Sequence, residues 1–92
     1  MNLLELMSGN LIDPTLIRGI AQLPRKGVLF KDARNETLAF EPELDPFYQK
    51  AIVKAVVQVL KAGKEWQQPD WMAEYAKADK AREAAKQGLK AT

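Results

Sequence analysis

The sequence contains neither cysteine nor histidine in its 92 residues. Without cysteine, the chain can form no disulfide and has no thiolate nucleophile or thiolate metal ligand. Without histidine, it lacks the commonest general base and the commonest metal ligand. It also has no Gly-x-Ser-x-Gly, glycine-rich phosphate loop or Ser-x-x-Lys motif. These absences predict a protein that is not an enzyme and that needs no metal and no cofactor.

Long apolar runs are also missing. No stretch approaches the ~18 consecutive apolar residues that would suggest a membrane span. The apolar residues 1–7 lack the positive flank and the small-residue cleavage site of a secretory signal. The sequence therefore predicts a cytoplasmic protein that does not bind membranes.

The charge is unevenly spread along a chain of single-domain size. Residues 1–75 hold nine bases and ten acids, whereas residues 76–92 hold five bases and two acids. The second stretch is rich in alanine, which favours helix but offers little surface to bury. We therefore predict a compact α+β domain over residues 1–75 and a basic, alanine-rich helical extension of the same domain over residues 76–92.

The pattern of apolar residues predicts several helices and one hairpin. A short helical turn is expected over residues 3–7, and a helix is expected from Asp13-Pro14 to Pro24, because apolar residues recur there at helical spacing. Residues 27–31 and 37–41 indicate two strands joined by a turn at residues 32–36. An isolated hairpin is marginal in water, so these strands must pack on helices.

The strongest signal in the sequence is an amphipathic helix of about 17 residues that begins at Asp45-Pro46 and ends near Gly63. A last helix is expected after Asp70, which is a suitable N-cap residue. The predicted fold is α+β: a small antiparallel hairpin packed on the long amphipathic helix, with two flanking helices.

Basic side chains form one candidate binding surface. On a helical wheel, Lys50, Lys54 and Lys61 lie opposite the apolar face of the long helix, and Lys64 follows. The extension adds further bases, of which three are candidates for contacts with phosphates or with an acidic partner: Lys77, Lys80 and Arg82. A lysine stripe of this kind can contact nucleic-acid phosphates, although it has no arginine and little that could read base edges. Such stripes are also common on ordinary solvated helix faces.

Aromatic side chains form the second candidate surface, and two interpretations of it stay open. Trp66, Trp71 and Tyr75 lie close together around a proline-containing connection. They could close the core of the domain against the long helix. Alternatively, part of the cluster could be exposed as a protein-binding anchor, because Trp and Tyr are enriched at interface hot spots. Trp66 is the better candidate for an anchor, since it lies beyond the expected end of the long helix.

Three alternating carboxylates before the long helix could hold a metal ion or could have a structural role. Glu41, Glu43 and Asp45 alternate along the chain, and carboxylates suit calcium or magnesium. Their spacing does not match a calcium-binding loop. We expect instead that Glu41 faces solvent and that Asp45 caps the long helix.

The leading functional hypothesis is therefore a small non-catalytic protein-binding accessory or inhibitor that docks on a larger protein or nucleoprotein assembly. By association, compact proteins of this size without reactive motifs are often accessory factors or inhibitors encoded by phages and mobile elements. The alternative is a nucleic-acid-binding accessory or regulatory protein that uses the lysine-rich helix face. The sequence does not specify an oligomeric state.

Overall fold

The computed structural model describes residues 2–91, with side chains described for residues 2–88. Its α+β class confirms the prediction: this part of the chain contains two antiparallel sheets and two α-helices. The elements in chain order are β1 (Leu4–Glu5), β2 (Leu11–Ile12), a 3₁₀ turn (Pro14–Leu16), β3 (Gly19–Leu23), β4 (Gly27–Lys31), β5 (Thr37–Pro42), α1 (Pro46–Ala62), a second 3₁₀ turn (Gly63–Glu65) and α2 (Trp71–Ala91).

The long helix α1 has the predicted position and its 17 residues. The carboxylate of Asp45 accepts a hydrogen bond of 2.8 Å from the Phe47 amide, and Pro46 occupies the first turn, where no amide donor is needed. The helix ends at Gly63, whose φ of 59° lies in the region that favours glycine. Its apolar face is buried in the core at Ile52, Ala55, Val56 and Val59.

The predicted hairpin is also present, as β4 and β5. Its turn contains Asn35 at a φ of 65°, and the Asp32 carboxylate accepts hydrogen bonds from two amides of the turn. Val28 and Phe30 are fully buried in the cluster that contains the apolar face of α1. The hairpin therefore packs on α1, as expected from its apolar alternation.

The helix predicted between Asp13 and Pro24 is wrong. Only Pro14–Leu16 forms a 3₁₀ turn, capped by the Asp13 side chain, and Gly19–Leu23 is a strand that pairs with β4. Pro24 and Arg25 form the centre of a tight turn between these strands, with the Lys26 amide donating to the Leu23 carbonyl over 3.1 Å. Gly19 lies inside the segment predicted to be helical, and a glycine destabilises a helix interior by about 1 kcal/mol relative to alanine. Backbone pairing with β4 favours the strand instead.

The helical turn predicted over residues 3–7 is wrong as well. Leu4 and Leu6 are buried and Glu5 is exposed, which is the two-residue period of a strand, and β1 pairs with β2. With both of these segments extended, α2 is the one α-helix in residues 2–91 that flanks α1. The fold is thus two small sheets packed with α1 and α2, and the three-stranded sheet has the order β3-β4-β5.

The last helix begins where it was expected, after Asp70, whose carboxylate accepts a hydrogen bond of 3.2 Å from the Ala73 amide. It runs without a break across residues 75 and 76, and Ala78 is still buried. The division of the chain at this point stays a prediction. Lys90, one of the bases counted in the extension, lies outside the residues whose side chains are described.

Candidate protein-binding surfaces

A stacked pair of tyrosines fixes α2 against α1. The rings of Tyr48 and Tyr75 have centroids 4.7 Å apart and an interplanar angle of 11°. The Tyr75 hydroxyl donates a hydrogen bond of 2.9 Å to Glu43, and the Tyr48 hydroxyl donates one to Asp79. Because each hydroxyl connects its helix to an acid on another element, this pair sets the position of α2 along α1.

Both hydroxyls are held in their protonated form. Burial, followed by the hydrogen bond to Glu43, raises the pKa of Tyr75 well above its ordinary value. The hydrogen bond to Asp79 is the largest cause of a raised pKa at Tyr48. The phenols therefore act as hydrogen-bond donors to carboxylates, and their role is structural at neutral pH.

The acidic segment before α1 is engaged within the fold. Glu41 is only 2% exposed, and its carboxylate accepts hydrogen bonds of 2.8 and 2.5 Å from the Ser8 amide and hydroxyl. Our expectation that Glu41 faces solvent is therefore wrong, because the turn between β1 and β2 covers it and supplies these donors. Asp45 caps α1, as expected, and forms a salt bridge of 3.2 Å with Arg82.

Between α1 and α2 runs a groove made of two adjoining cavities, of about 520 and 160 Å³. Both cavities are lined by Lys54, Glu74 and Lys77. We call this feature the interhelical groove. Small and apolar side chains also line it, at Phe47, Ala51, Ala55, Val59, Ala62, Pro69, Ala78 and Ala81.

The interhelical groove brings together lysines that are far apart in the sequence. Lys50 and Lys54 reach it from α1, and Lys77 reaches it from α2. Lys77 forms a salt bridge of 3.6 Å with Glu74. Among the side chains described, Lys50 and Lys54 have no salt bridge, so the end of the groove near Phe47 carries three amines against one carboxylate.

A second concave surface surrounds Trp66, where the chain leaves α1. Two cavities of about 270 and 450 Å³ are both lined by Thr15, Gly63 and Trp66. We call this surface the tryptophan cleft. Its remaining lining consists of Asn2, Asp13, Pro14, Ile17, Arg18, Val59, Leu60 and Lys64. Trp66 packs partly against the core and keeps part of its surface exposed, as a binding anchor requires.

Arg18 gives the tryptophan cleft a fixed positive charge. Its Nη1 donates hydrogen bonds of 2.9 Å to the carbonyls of Thr15 and Ile17. The guanidinium has five N–H donors, so its other donors remain available to a carboxylate. Within the described part of the chain, Arg18 forms no salt bridge.

The other aromatic candidates occupy structural positions. Trp71 is 8% exposed and its indole N–H donates a hydrogen bond of 2.7 Å to the Glu5 carbonyl. Tyr75 is half-buried in the contacts described above. The first of the two interpretations, closure of the core, accounts for both side chains. A binding role for Trp66, Trp71 and Tyr75 stays a prediction. Trp66 and Tyr75 are both partly exposed, and of the two Trp66 lines the tryptophan cleft.

The remaining basic candidates do not converge on one site. Lys61, Lys64 and Lys80 are exposed, and neither Lys61 nor Lys80 lines a wall of the interhelical groove. Arg82 forms a salt bridge with Asp45.

Sequence reasoning missed Arg18, since nothing in its neighbourhood indicates a cleft. It also missed the apolar lining of the groove, because the small alanines of α2 do not indicate that this helix packs against another one.

Further observations bear on other classes of site. In residues 2–91, no group of three or more His, Cys, Asp and Glu side chains is placed to hold a metal ion. None of the helices described is long and apolar enough to cross a membrane.

The chain matches no protein-family model, and it matches neither a curated protein nor a solved structure.

Proposed function

We propose that this protein is a non-catalytic binding accessory or inhibitor that docks on a larger protein or nucleoprotein assembly in the cytoplasm. The observation that carries the proposal is the tryptophan cleft, in which a partly exposed indole lines two adjoining cavities. Partly exposed Trp residues beside a cavity are typical interface anchors, because a rigid ring buries a large area at a small entropic cost.

The chemistry around Trp66 supports a protein partner with both apolar and acidic groups. Leu60, which is 37% exposed, and the partly exposed Trp66 supply apolar surface. The anchored guanidinium of Arg18 lies at the same cavity and can pair with a carboxylate. A partner loop with an apolar side chain next to an acidic residue would satisfy both features.

The experiment that tests this proposal is affinity capture from the cell that expresses the protein, with identification of the proteins that co-purify. The wild-type protein should retain a specific assembly, and Trp66→Ala should lose it. Met72→Ala is the matched control, since Met72 is 75% exposed and lies outside the cleft. Nuclease treatment of the lysate distinguishes a protein partner from a nucleoprotein one. Equal capture by Trp66→Ala and wild type would refute the role of the cleft.

A nucleic-acid-binding function is the second candidate, and the observation that favours it is the convergence of Lys50, Lys54 and Lys77. Phosphate contacts would make the affinity fall steeply with salt. A fluorescence titration with a DNA or RNA duplex over a salt series measures this slope. Tight binding at low salt that is lost when these three lysines become glutamate would favour nucleic acid over a protein partner.

A further inference from the structure

We infer that the interhelical groove is a binding site for an acidic amphipathic helix of a protein partner. This inference rests on the proposed function, since such a helix belongs to a protein partner. It concerns a different surface from the tryptophan cleft, so the two can fail separately.

The shape of the groove fits a third helix. Its lining on α1 extends from Phe47 to Ala62, which is about 22 Å at a rise of 1.5 Å per residue. Its walls are two packed helices, and small side chains such as Ala51 and Ala81 line it between them. Packed helices approach to about 8–10 Å between axes, and small residues at the contact allow the shorter separations. A helix of about four turns would therefore cover the groove.

The charge at the end of the groove near Phe47 specifies acidic residues at the matching end of the occupant. At the end near Phe47, three lysines face one glutamate, and two of the lysines have no salt bridge to another described side chain. Apolar side chains lie between these amines, so an occupant must carry apolar residues on the face that it presents and carboxylates on the flanks of that face. This pattern is the helix-in-groove mode of peptide recognition.

The same lining disfavours a nucleic acid at this surface. Glu65 and Glu74 both line the larger cavity and would repel any anion there. A helix can keep its acidic residues at the end near Phe47, whereas a phosphate backbone carries charge along its whole length. A phosphate backbone also gains nothing from the apolar surface at Ala51 and Ala81, whereas the apolar face of a helix gains by burying it.

The test uses a fluorescein-labelled, helix-forming peptide rich in Glu and Leu, and measures its fluorescence anisotropy with the full chain. The wild-type protein should bind this peptide, and should bind neither a peptide with Lys in place of Glu nor a DNA duplex of comparable charge. Lys54→Glu should weaken binding about tenfold, because one attraction becomes a repulsion. Ala81→Trp fills the smaller cavity without changing charge and should also weaken binding.

Lys61→Glu and Lys80→Glu are matched controls, because each makes the same charge change on α1 or α2 outside the groove. Circular dichroism establishes that each variant is folded. Equal losses in the groove variants and the control variants would overturn the inference, as would preferential binding of the DNA duplex. No peptide binding, together with partner capture that depends on Trp66, would reject the groove and leave the proposed function standing. Peptide binding, together with partner capture that is unaffected in Trp66→Ala, would reject the cleft and leave the groove.

Discussion

Replacing Gly27 by alanine should destabilise the fold strongly. Gly27 begins β4 and pairs with Pro42 on β5. A Cβ atom at this position would lie 2.3 Å from the carbonyl oxygen of Glu41 and 2.8 Å from Cζ of Phe40. The phenyl ring could rotate away, but the carbonyl belongs to the neighbouring strand. The new methyl group can therefore be accommodated only if β4 and β5 separate.

The size of the effect follows from two opposing contributions. Forcing extra volume into a packed site costs about 1–3 kcal/mol, and a clash with backbone places Gly27→Ala towards the upper end. Alanine has fewer conformations than glycine in the unfolded chain, which stabilises the folded state by about 0.4–1 kcal/mol. The net loss is about 2 kcal/mol of unfolding free energy. For a domain of this size, that loss lowers Tm by about 8–16 °C.

Gly19→Ala is the matched control on the neighbouring strand. A Cβ atom there meets Lys31 Cβ at 3.7 Å, which is an ordinary contact, so this variant should be neutral or slightly stabilising. Thermal and urea unfolding followed by circular dichroism compare the two variants with wild type. If Gly27→Ala unfolds within about 2 °C of wild type, or if Gly19→Ala loses as much stability, the steric reasoning is refuted.

Three hydrogen-bond predictions use the same unfolding assay. Ser8→Ala removes a donor from the buried Glu41 carboxylate and should cost about 2 kcal/mol; Ser8→Thr should retain more stability, and equal values for the two would contradict the assignment. Gln49→Leu leaves two backbone carbonyls, one at the end of β3 and one at Glu43, without their side-chain donor; it should also cost about 2 kcal/mol, and an unchanged midpoint would argue against these bonds. The third concerns pH. Because folding raises the pKa of Tyr75 above 10.0, its contribution to stability is complete below pH 10 and is lost as pH rises further. Wild type should therefore lose stability more steeply than Tyr75→Phe above pH 10, and parallel curves would exclude this linkage.

The elements that the sequence predicted well are those with strong local signals. Helix α1 has a capping Asp45, a proline in its first turn and a wide apolar face, and all three act within one segment. The hairpin of β4 and β5 has alternating apolar residues and a turn in which Asn35 adopts a positive φ. Because these signals agree with one another, tertiary packing did not need to override them.

The segment over residues 14–23 could not be assigned in this way. Apolar residues at Leu16, Ile17, Ile20 and Leu23 have helical spacing, yet Ile20 faces Phe30 across the sheet. The strand forms because β4 offers it backbone partners, and local periodicity does not contain that information. Pro24 suits the second position of a turn, but Arg25, which adopts a positive φ at the next position, is not a residue type that indicates one.

The candidate site was predictable by residue type but not by geometry. The wheel of α1 identified Lys50 and Lys54 correctly as exposed. Their convergence with Lys77 depends on how α2 lies across α1, and that placement is set by the side-chain contacts of Tyr48 and Tyr75. The residue pattern of α1 or of α2 alone does not predict the contact between Tyr48 and Tyr75.

The distribution of charge connects the fold to the proposed binding surfaces. Two acids before α1 make contacts within the fold. Glu43 accepts a hydrogen bond from the Tyr75 hydroxyl, and Asp45 caps the start of α1 and forms a salt bridge with Arg82 of α2. Those contacts orient α2, and the orientation of α2 creates the groove to which the lysines of α1 contribute. Because these carboxylates bind Tyr75 and Arg82, they do not neutralise Lys50 and Lys54, which form no salt bridge among the side chains described. A variant that loosens α2, such as Tyr75→Phe, should therefore weaken binding of an acidic helix even though Tyr75 does not line the groove.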